Sequence, residues 1–536
     1  MPEHGQPPDA VELLELRVLD GPNRFFTRPA VKLEFGSPTP GDAARTATAA
    51  AEAVQRLHAA LGFVPPRVRL RVSADERRAA IAWPWRRRTI AQSIGAAAAR
   101  VAMRSSSQRR ELRGLRAVAL GPLASVPVPR IPIVAVTGTN GKSTTTRLIA
   151  HVAAAARLRV GMTNSDGIYV RGDLVEAGDW TGYGGAGRVL AEPDLDVAVL
   201  ETARGGILLR GIGYATNDVS VVTNVSADHL GLQGIDTLDE LAEVKGAIVR
   251  ITRRGGWAVL NADDDRVWAM RRETRAGWYA FSLDPEARGV TQALERGGRA
   301  AVLDRGRLVL LAAGRRRRSL GAADELPVTF AGLSRYNVAN ALAAAAATDA
   351  LGIPVARIAA GLRSFVLDTT ANPGRLNLFE RKGVLAIVDF AHNEAGLAGL
   401  LDVSRALAGA GRRHGAVRLA LGTAGDRTDE ILHALGVLAG RGADDVVICE
   451  KRHYLRGRDL DEMNAIFREG AAAGGYRGEV AAHPTEVVAM QALLARSRRG
   501  DVAAVMSHAE RAEIFAWLAS AGYTPVAPGR LRELLG

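Results

Sequence analysis

IVAVTGTNGKSTTT, from Ile133 to Thr146, decides how this chain is read. An apolar strand runs into a glycine-rich loop, and a helix follows. Backbone N–H groups of such a loop, with the helix N-terminus, cradle phosphate oxygens. The loop residues are Gly138, Thr139, Asn140, Gly141, Lys142, Ser143 and Thr144. Lys142 would reach the β- and γ-phosphates, and the Ser143 hydroxyl would bind Mg2+. The full GxxxxGK[ST] pattern is not met, because position 136 is valine. A GKS triplet alone is common by chance. Between a strand and a helix, an ordinary βα turn explains it poorly.

The texture around this loop is that of a parallel sheet. Short apolar runs alternate with helical segments: IVAV, DVAVLE, DVSVVTN and GWAVLN. Such runs read as buried strands of a doubly wound α/β sheet. Residues 283–330 read as short strands with glycine turns, and Asn337 to Leu351 as a long alanine-rich helix. After Pro373-Gly374-Arg375 a second series begins: VLAIVDF, AVRLALG, DDVVICE and DVAAVMS. It predicts another α/β domain, Rossmann-like, from 367 to 536. Upstream, Val31, Leu33 and Phe35 alternate with polar residues, as do Val68, Leu70 and Val72. Both stretches read as half-buried strands. Helices are expected from Ala43 to Leu61 and from Ile90 to Met103. Residues 1–128 would thus form a small α+β domain, joined by the Pro-rich GPLASVPVPRIP to a central domain over 129–366.

Composition sets the outer bounds. At about 150 residues per domain, 536 residues suggest three or four domains. With 47% hydrophobic and 24% charged residues, there is ample material for several cores. No apolar run approaches the roughly 18 residues of a membrane span. The polar N-terminus reads as neither signal nor transit peptide, and Cys449 is the one cysteine, so no disulfide framework exists. A cytoplasmic protein is expected, with no membrane partner.

The net charge of +13 would permit nucleic-acid binding. Only five lysines occur, however: Lys32, Lys142, Lys245, Lys382 and Lys451, against 65 arginines. That is compositional drift, not a basic face. The densest run, Arg315 to Arg318, lacks aromatic interleaving and reads as a solvated hairpin. No nucleic-acid partner is expected. The drift makes each retained lysine informative, since it marks chemistry that a guanidinium cannot perform.

Further candidates gather at the edge where the loop lies. Ligands of parallel α/β sheets sit beyond the carboxyl ends of the strands. Glu201 ends DVAVLE, while Asn224, Asp228 and His229 follow DVSVVT. Taken alone, Glu201 would more often be a capping or salt-bridged carboxylate, and His229 a structural histidine. Their shared place at strand ends favours a second metal site of carboxylate oxygen and imidazole. Lys245 lies on the next helix, TLDELAEVKGAIV. A neutral lysine amine takes up CO2 to give a carbamate, a long-armed carboxylate able to bind metal.

GTNGKST, Glu201, TNVSADH, the helix lysine, LNADD (Leu260 to Asp264), SRYNVAN (Ser334 to Asn340), PGR and VDFAHN together resemble the Mur ligase family. The resemblance runs from about 131 to 430. Within it, DGIY, ETARGGIL, DHLGL, GDR and LRGR are most similar to the Mur ligase-like part of cyanophycin synthetase, and LDGPN (Leu19 to Asn23) resembles the start of that enzyme.

The resemblance implies an ATP-dependent amide ligase working through an acyl phosphate, on a cyanophycin-like or other peptide acceptor and an amino acid. It implies ATP and two Mg2+ ions as requirements. Lys142, Glu201, His229 and Lys245 would be catalytic. Ser143, Glu201, His229 and carbamylated Lys245 would hold metal. Asn261 and Asn337 would line adenine and ribose. Asp389 would meet the ribose from the C-terminal domain, and Arg375 and Arg427 the phosphates. The chain departs from cyanophycin synthetase in one large respect: nothing between the N-terminal unit and GTNGKS leaves room for an ATP-grasp domain. A separate ATP-grasp ligase is the partner this suggests, the N-terminal unit here holding an acceptor made by that partner. Glu450 to Tyr454, with Arg456 and Arg458 beyond, read as a cationic cluster that would favour a neutral or acidic incoming amino acid. The alternative reading is a nucleotide-binding scaffold or regulator that has lost ligation; the intact set Lys142, Ser143, Glu201, His229 and Lys245 argues against it.

Overall fold

The computed structural model describes residues 11–228, 230–410 and 414–535. Three sheets succeed one another along the chain. The central one has eleven strands. Val160–Thr163, Val197–Glu201, Ile133–Thr137, Asn217–Val222, Thr252–Asn261, Gly277–Ser282 and Arg299–Asp304 run parallel in that spatial order. Antiparallel strands close both edges.

The apolar runs are buried because both faces of the sheet are covered. Along Ile133–Thr137 every residue is buried, and parity divides them. Val134 and Val136 join a core with helices Lys142–Ala155, Arg335–Ala350 and Val355–Ser364. Ile133 and Ala135 join the opposite core with Tyr183–Ala191, Leu238–Lys245 and Ala247–Arg250. This is the doubly wound α/β arrangement. The alanine-rich helix begins at Arg335, one turn's half ahead of the expected Asn337, and lies in the sheet's core on nearly every side. Alanine permits that close approach. Its buried Asp349 accepts from Tyr279 Oη at 3.0 Å and pairs with Arg299 at 3.0 Å and Arg318 at 2.8 Å. Arg318 is therefore an internal partner, whereas Arg315 to Arg317 do sit on an exposed turn. The stretch expected to hold only short strands also contains the helix Arg288–Glu295.

The C-terminal sheet has seven strands. Ala482–His483, Asp445–Cys449, Val417–Leu421, Val502–Met506 and Val384–Asp389 are parallel, and Asn377–Arg381 turns antiparallel.

The N-terminal sheet is antiparallel, in the order Glu12–Leu19, Ala30–Gly36, Arg78–Pro84, Arg69–Val72, with helices Asp42–Ala60 and Arg88–Ala102 over one face. Of the two strands expected to be half-buried, one is buried throughout and the other alternates with the opposite phase. Ala30–Gly36 is buried on both faces. Its polar residues Lys32 and Glu34 pair with each other at 2.5 Å beneath the central domain. In Arg69–Val72 the alternation is inverted: Leu70 and Val72 are each 39% exposed, while Arg69 and Arg71 are partly covered on the side of the central domain. The reason is a seam of charge. Arg71 pairs with Glu243 at 2.5 Å, Arg24 pairs with Glu240 at 3.1 Å and Glu243 at 2.9 Å, and Arg78 pairs with Asp236. The N-terminal domain thus grips helix Leu238–Lys245.

Candidate active site

Two glycines shape the loop after Ile133–Thr137. Gly138 has φ +154° and Gly141 φ +81°. A Cβ on the first would overlap Thr223 Oγ1, and on the second Asn340 Oδ1. Only glycine meets both demands. The loop is laced to the next strand end. Thr139 N donates to Asn224 O at 2.9 Å, Asn140 N to Asn224 Oδ1 at 2.9 Å, and Thr223 Oγ1 to Asn140 O at 2.6 Å. Lys142 opens the helix Lys142–Ala155 and its Nζ donates to Thr139 O at 2.7 Å. The amine therefore lies over the loop, whose Thr139 and Asn140 N–H groups are held by Asn224.

Val136 pairs with Glu201, which sets that carboxylate beside the loop. Glu201 is 3% exposed, and its Oε2 has no hydrogen-bond partner. Burial raises its pKa, and Lys142 and the Ser143 hydroxyl oppose that shift. Lys245 is also 3% exposed, and its Nζ donates to Gly138 O at 2.7 Å. Burial, then the charge of Lys142, pushes its pKa well below the usual lysine range. His229 lies outside the described residues. Among the described residues no cluster of three or more His, Cys, Asp and Glu is placed to hold a metal. The available donors are the Ser143 hydroxyl and the unpartnered Glu201 oxygen, hard ligands of the kind Mg2+ takes.

These groups line one cleft of about 1080 Å³ between the central and C-terminal domains. Gly138 to Thr144, Glu201, Lys245 and Asn337 come from one side, and Arg375 and Asp389 from the other. The Arg375 guanidinium stacks 4.2 Å from the Phe390 ring centroid. Asp389 accepts the backbone N–H groups of Leu376 and Ala391, each at 2.8 Å. Burial raises its pKa and Arg375 opposes the rise.

Two expected residues stand behind the wall. Asn261 spends its side chain on Thr223 O, at 2.8 Å, and on Asp263 N, at 3.0 Å; its neighbour Asp264 faces the cleft instead. Arg427 pairs with Asp228 at 3.1 Å and Asp426 at 2.7 Å, and Asp426 takes the lining position.

Other contacts across the cleft were not singled out from the sequence. Asn140 of the phosphate loop and Asn393 exchange two hydrogen bonds, at 3.1 and 3.0 Å. His392 Nε2 stands 3.5 Å from Asp228 Oδ2. Asp166 pairs with Arg147 and Arg511, both at 2.9 Å. Their strings, VDFAHN and DGIY, stood out in the sequence, but their partners lie far along the chain.

The cationic cluster around 450–454 does not form. Lys451 is 4% exposed, and its Nζ pairs with Glu486 at 2.5 Å and donates to Met506 O at 2.6 Å. Arg452 is turned to Glu450 at 2.8 Å. Lys451 is spent internally and Arg452 is paired at the surface with Glu450, so neither carries an argument toward an acidic or neutral amino acid, while Arg456 of the same stretch lines the cleft. Lys451 is instead a structural lysine. Lys451→Met should lower stability by about 3 kcal/mol, because Glu486 would remain buried without its counter-charge. Desolvation works against the Glu486 carboxylate, but Lys451 outweighs it and holds its pKa at about 2, below the usual 4.5. That stabilisation is present above pH 4.5 and is lost as pH falls toward 2. Urea titrations of both proteins at pH 7 and pH 3 check this: the difference should shrink at pH 3.

Comparison with known proteins follows the same division. The Mur ligase middle domain family matches residues 136–348, and the family described as Mur ligase, glutamate ligase domain matches residues 374–509. A cyanophycin synthetase from Trichormus variabilis is 42% identical over 341 residues, which are 64% of this chain and 37% of that protein. The chain thus spans little more than a third of that relative's length. A UDP-N-acetylmuramoyl-L-alanyl-D-glutamate–2,6-diaminopimelate ligase from Alkalilimnicola ehrlichii is 32% identical over 369 residues, 66% of this chain and 68% of that protein. A solved bifunctional folylpolyglutamate synthase/dihydrofolate synthase with Mn, AMPPNP and L-glutamate bound shares the fold: TM-score 0.52 at 19% identity, over 73% of this chain and 90% of that one. Among the described residues, no helix is long and apolar enough to cross a membrane.

Proposed function

The chain belongs to the Mur ligase family, and from that premise we propose that it is an ATP-dependent carboxylate–amine ligase. It forms a peptide or isopeptide bond through an acyl phosphate. The observation that carries this reading is the convergence of the phosphate loop, Glu201 and Lys245 with Arg375 and Asp389 on one interdomain cleft.

The residues divide the work as follows. The loop N–H groups and Lys142 hold the β- and γ-phosphates of ATP. Ser143, Glu201, His229 and a carbamate on Lys245 would hold two Mg2+ ions, whose charge would offset that of the transferring phosphoryl group. Asn337 and the segment after Asn261 lie beside adenine and ribose, Asp389 reaches the ribose, and Arg375 reaches the phosphates. An acceptor carboxylate oxygen attacks the γ-phosphorus, and ADP leaves with the electron pair of the broken P–O bond. An amine then attacks the acyl carbon, loses a proton to solvent, and phosphate departs. The walls from two domains keep water from the acyl phosphate. Arg427, held on Asp228 and Asp426, acts by fixing the closed arrangement.

We assign residues 1–128, 129–366 and 367–536 to three domains, the last two being the catalytic pair. The acceptor is a peptide, cyanophycin-like or otherwise, supplied by a separate ATP-grasp ligase. The test is a matrix of amino acids and peptide acceptors with ATP, read by phosphate release and product mass. One pair should give stoichiometric ADP, phosphate and a product heavier by the amino acid less water. ATP binding with no product from any pair would favour a scaffold.

A further inference from the structure

A second cleft, of about 290 Å³, lies on the seam between the N-terminal and central domains. It is lined by Phe25, Phe26, Thr27, Arg28, Arg67, Arg69 and Arg250. Four of these seven are arginine and none is acidic, in a chain with 57 acidic residues. Arg250 is paired with Glu273 at 2.6 Å and donates to the backbone carbonyls of Asn23 and Arg24, which ties the two domains together. Arg28, Arg67 and Arg69 make no ion pair or side-chain hydrogen bond with any described residue. Glu243, whose charge favours the Arg69 guanidinium, is committed to Arg24 and Arg71. Arg69 lies over the Phe26 ring at 4.9 Å, and its charge is disfavoured by burial and then by Arg67, Arg71 and Arg250. The fold holds this repulsion while leaving Leu70 and Val72 of the same strand exposed. Of the two arginines on this strand, Arg71 has Glu243 as its counter-charge and Arg69 has no ion-pair partner among the described residues.

The cleft is separate from the nucleotide site. Arg250 precedes strand Thr252–Asn261, whose Thr252 pairs with Asn217 at the start of Asn217–Val222. The phosphate loop contacts the other end of that six-residue strand, about 20 Å away.

We propose that this seam is a binding site for an acidic peptide segment, its carboxylates taken by Arg28, Arg67 and Arg69. Guanidinium forks match carboxylates in pairs. A chain of carboxylates fits better than one compact phosphate, because Arg28 comes from a separate segment from Arg67 and the strand residue Arg69, and Arg28 and Arg67 are exposed at the rim. Phe25 and Phe26 line the cleft from its buried side, with Arg69 lying over the Phe26 ring. The site goes beyond the ligase reading and stands independently of it.

The test is fluorescence anisotropy of fluorescein-labelled octaglutamate with the full chain. Binding should weaken as salt rises. Arg67→Glu/Arg69→Glu should weaken it by about tenfold or more, with ATP binding unchanged as the measure of an intact fold. Arg67→Gln, at an exposed position, is the milder second variant and should weaken it measurably. Arg315→Glu/Arg316→Glu, on the exposed turn, should leave it unchanged. Absence of octaglutamate binding, an equal loss in the turn variant, or binding of inorganic pyrophosphate alone would overturn the assignment.

Discussion

Lys245→Arg should fold and bind ATP yet lose ligation by about 10²–10³-fold, the effect of losing one arm of a metal site. The geometry limits what this lysine can be. It is 3% exposed, its amine reaches Gly138 O at 2.7 Å, and it grows from a helix clamped by Arg24 and Arg71. A solvated helix lysine would meet none of these conditions. Carbamylation joins the amine nitrogen to the carbon of CO2 and releases one proton, giving an anion directly beside the phosphate loop. The depressed pKa agrees with this, since only the neutral amine reacts. Arginine keeps the positive charge and cannot form the carbamate. Lys245→Ala, which removes the charge and leaves space, should regain part of the activity with added acetate or formate, whereas excess bicarbonate should not help Lys245→Arg. The check is steady-state phosphate release with the full substrate pair. Full activity in Lys245→Arg would end the metal-bridge role.

Lys142→Met should cost about 10³-fold in kcat/KM, with the circular-dichroism spectrum unchanged. Lys142 is half-buried at the first turn of its helix, with Nζ on Thr139 O, so it can swing to a phosphate without disturbing the core. Methionine keeps the length and the apolar stem. A second consequence separates this variant from a general loss of fold. Lys142 is the largest charge opposing protonation of Glu201. Without it, Glu201 should protonate at higher pH, and residual activity should lose its acid limb earlier. The measurement is the pH profile of kcat/KM for both proteins. An unshifted acid limb would detach Glu201 from Lys142.

The sequence disclosed the parts of the site that obey local rules. Gly138 and Gly141 are required by positive φ and by the nearness of Thr223 and Asn340, and such demands leave glycines at fixed spacing. The runs ending at Glu201 and Asp389 are apolar throughout because both sheet faces are covered. What escaped was set by distance along the chain. Lys451 was singled out as rare, but Glu486 lies 35 residues on, and only folding brings the pair together. Asn140 and Asn393 are 253 residues apart. In the N-terminal domain, Glu12–Leu19 is hidden in the sequence because a bulge between Leu13 and Glu15 breaks its two-residue period. Arg78–Pro84 gives no strand signal because its alanines carry no alternation. Arg69–Val72 was found but faced the wrong way, since its buried partners belong to another domain.

The acyl phosphate is the centre of this account, and isotope transfer tests it most directly. The acceptor carboxylate is labelled with ¹⁸O in both oxygens, and the phosphate released during ligation is weighed. Attack of that carboxylate on the γ-phosphorus places one ¹⁸O in each phosphate and leaves one in the new amide carbonyl. Phosphate free of ¹⁸O, or AMP in place of ADP, would contradict the mechanism.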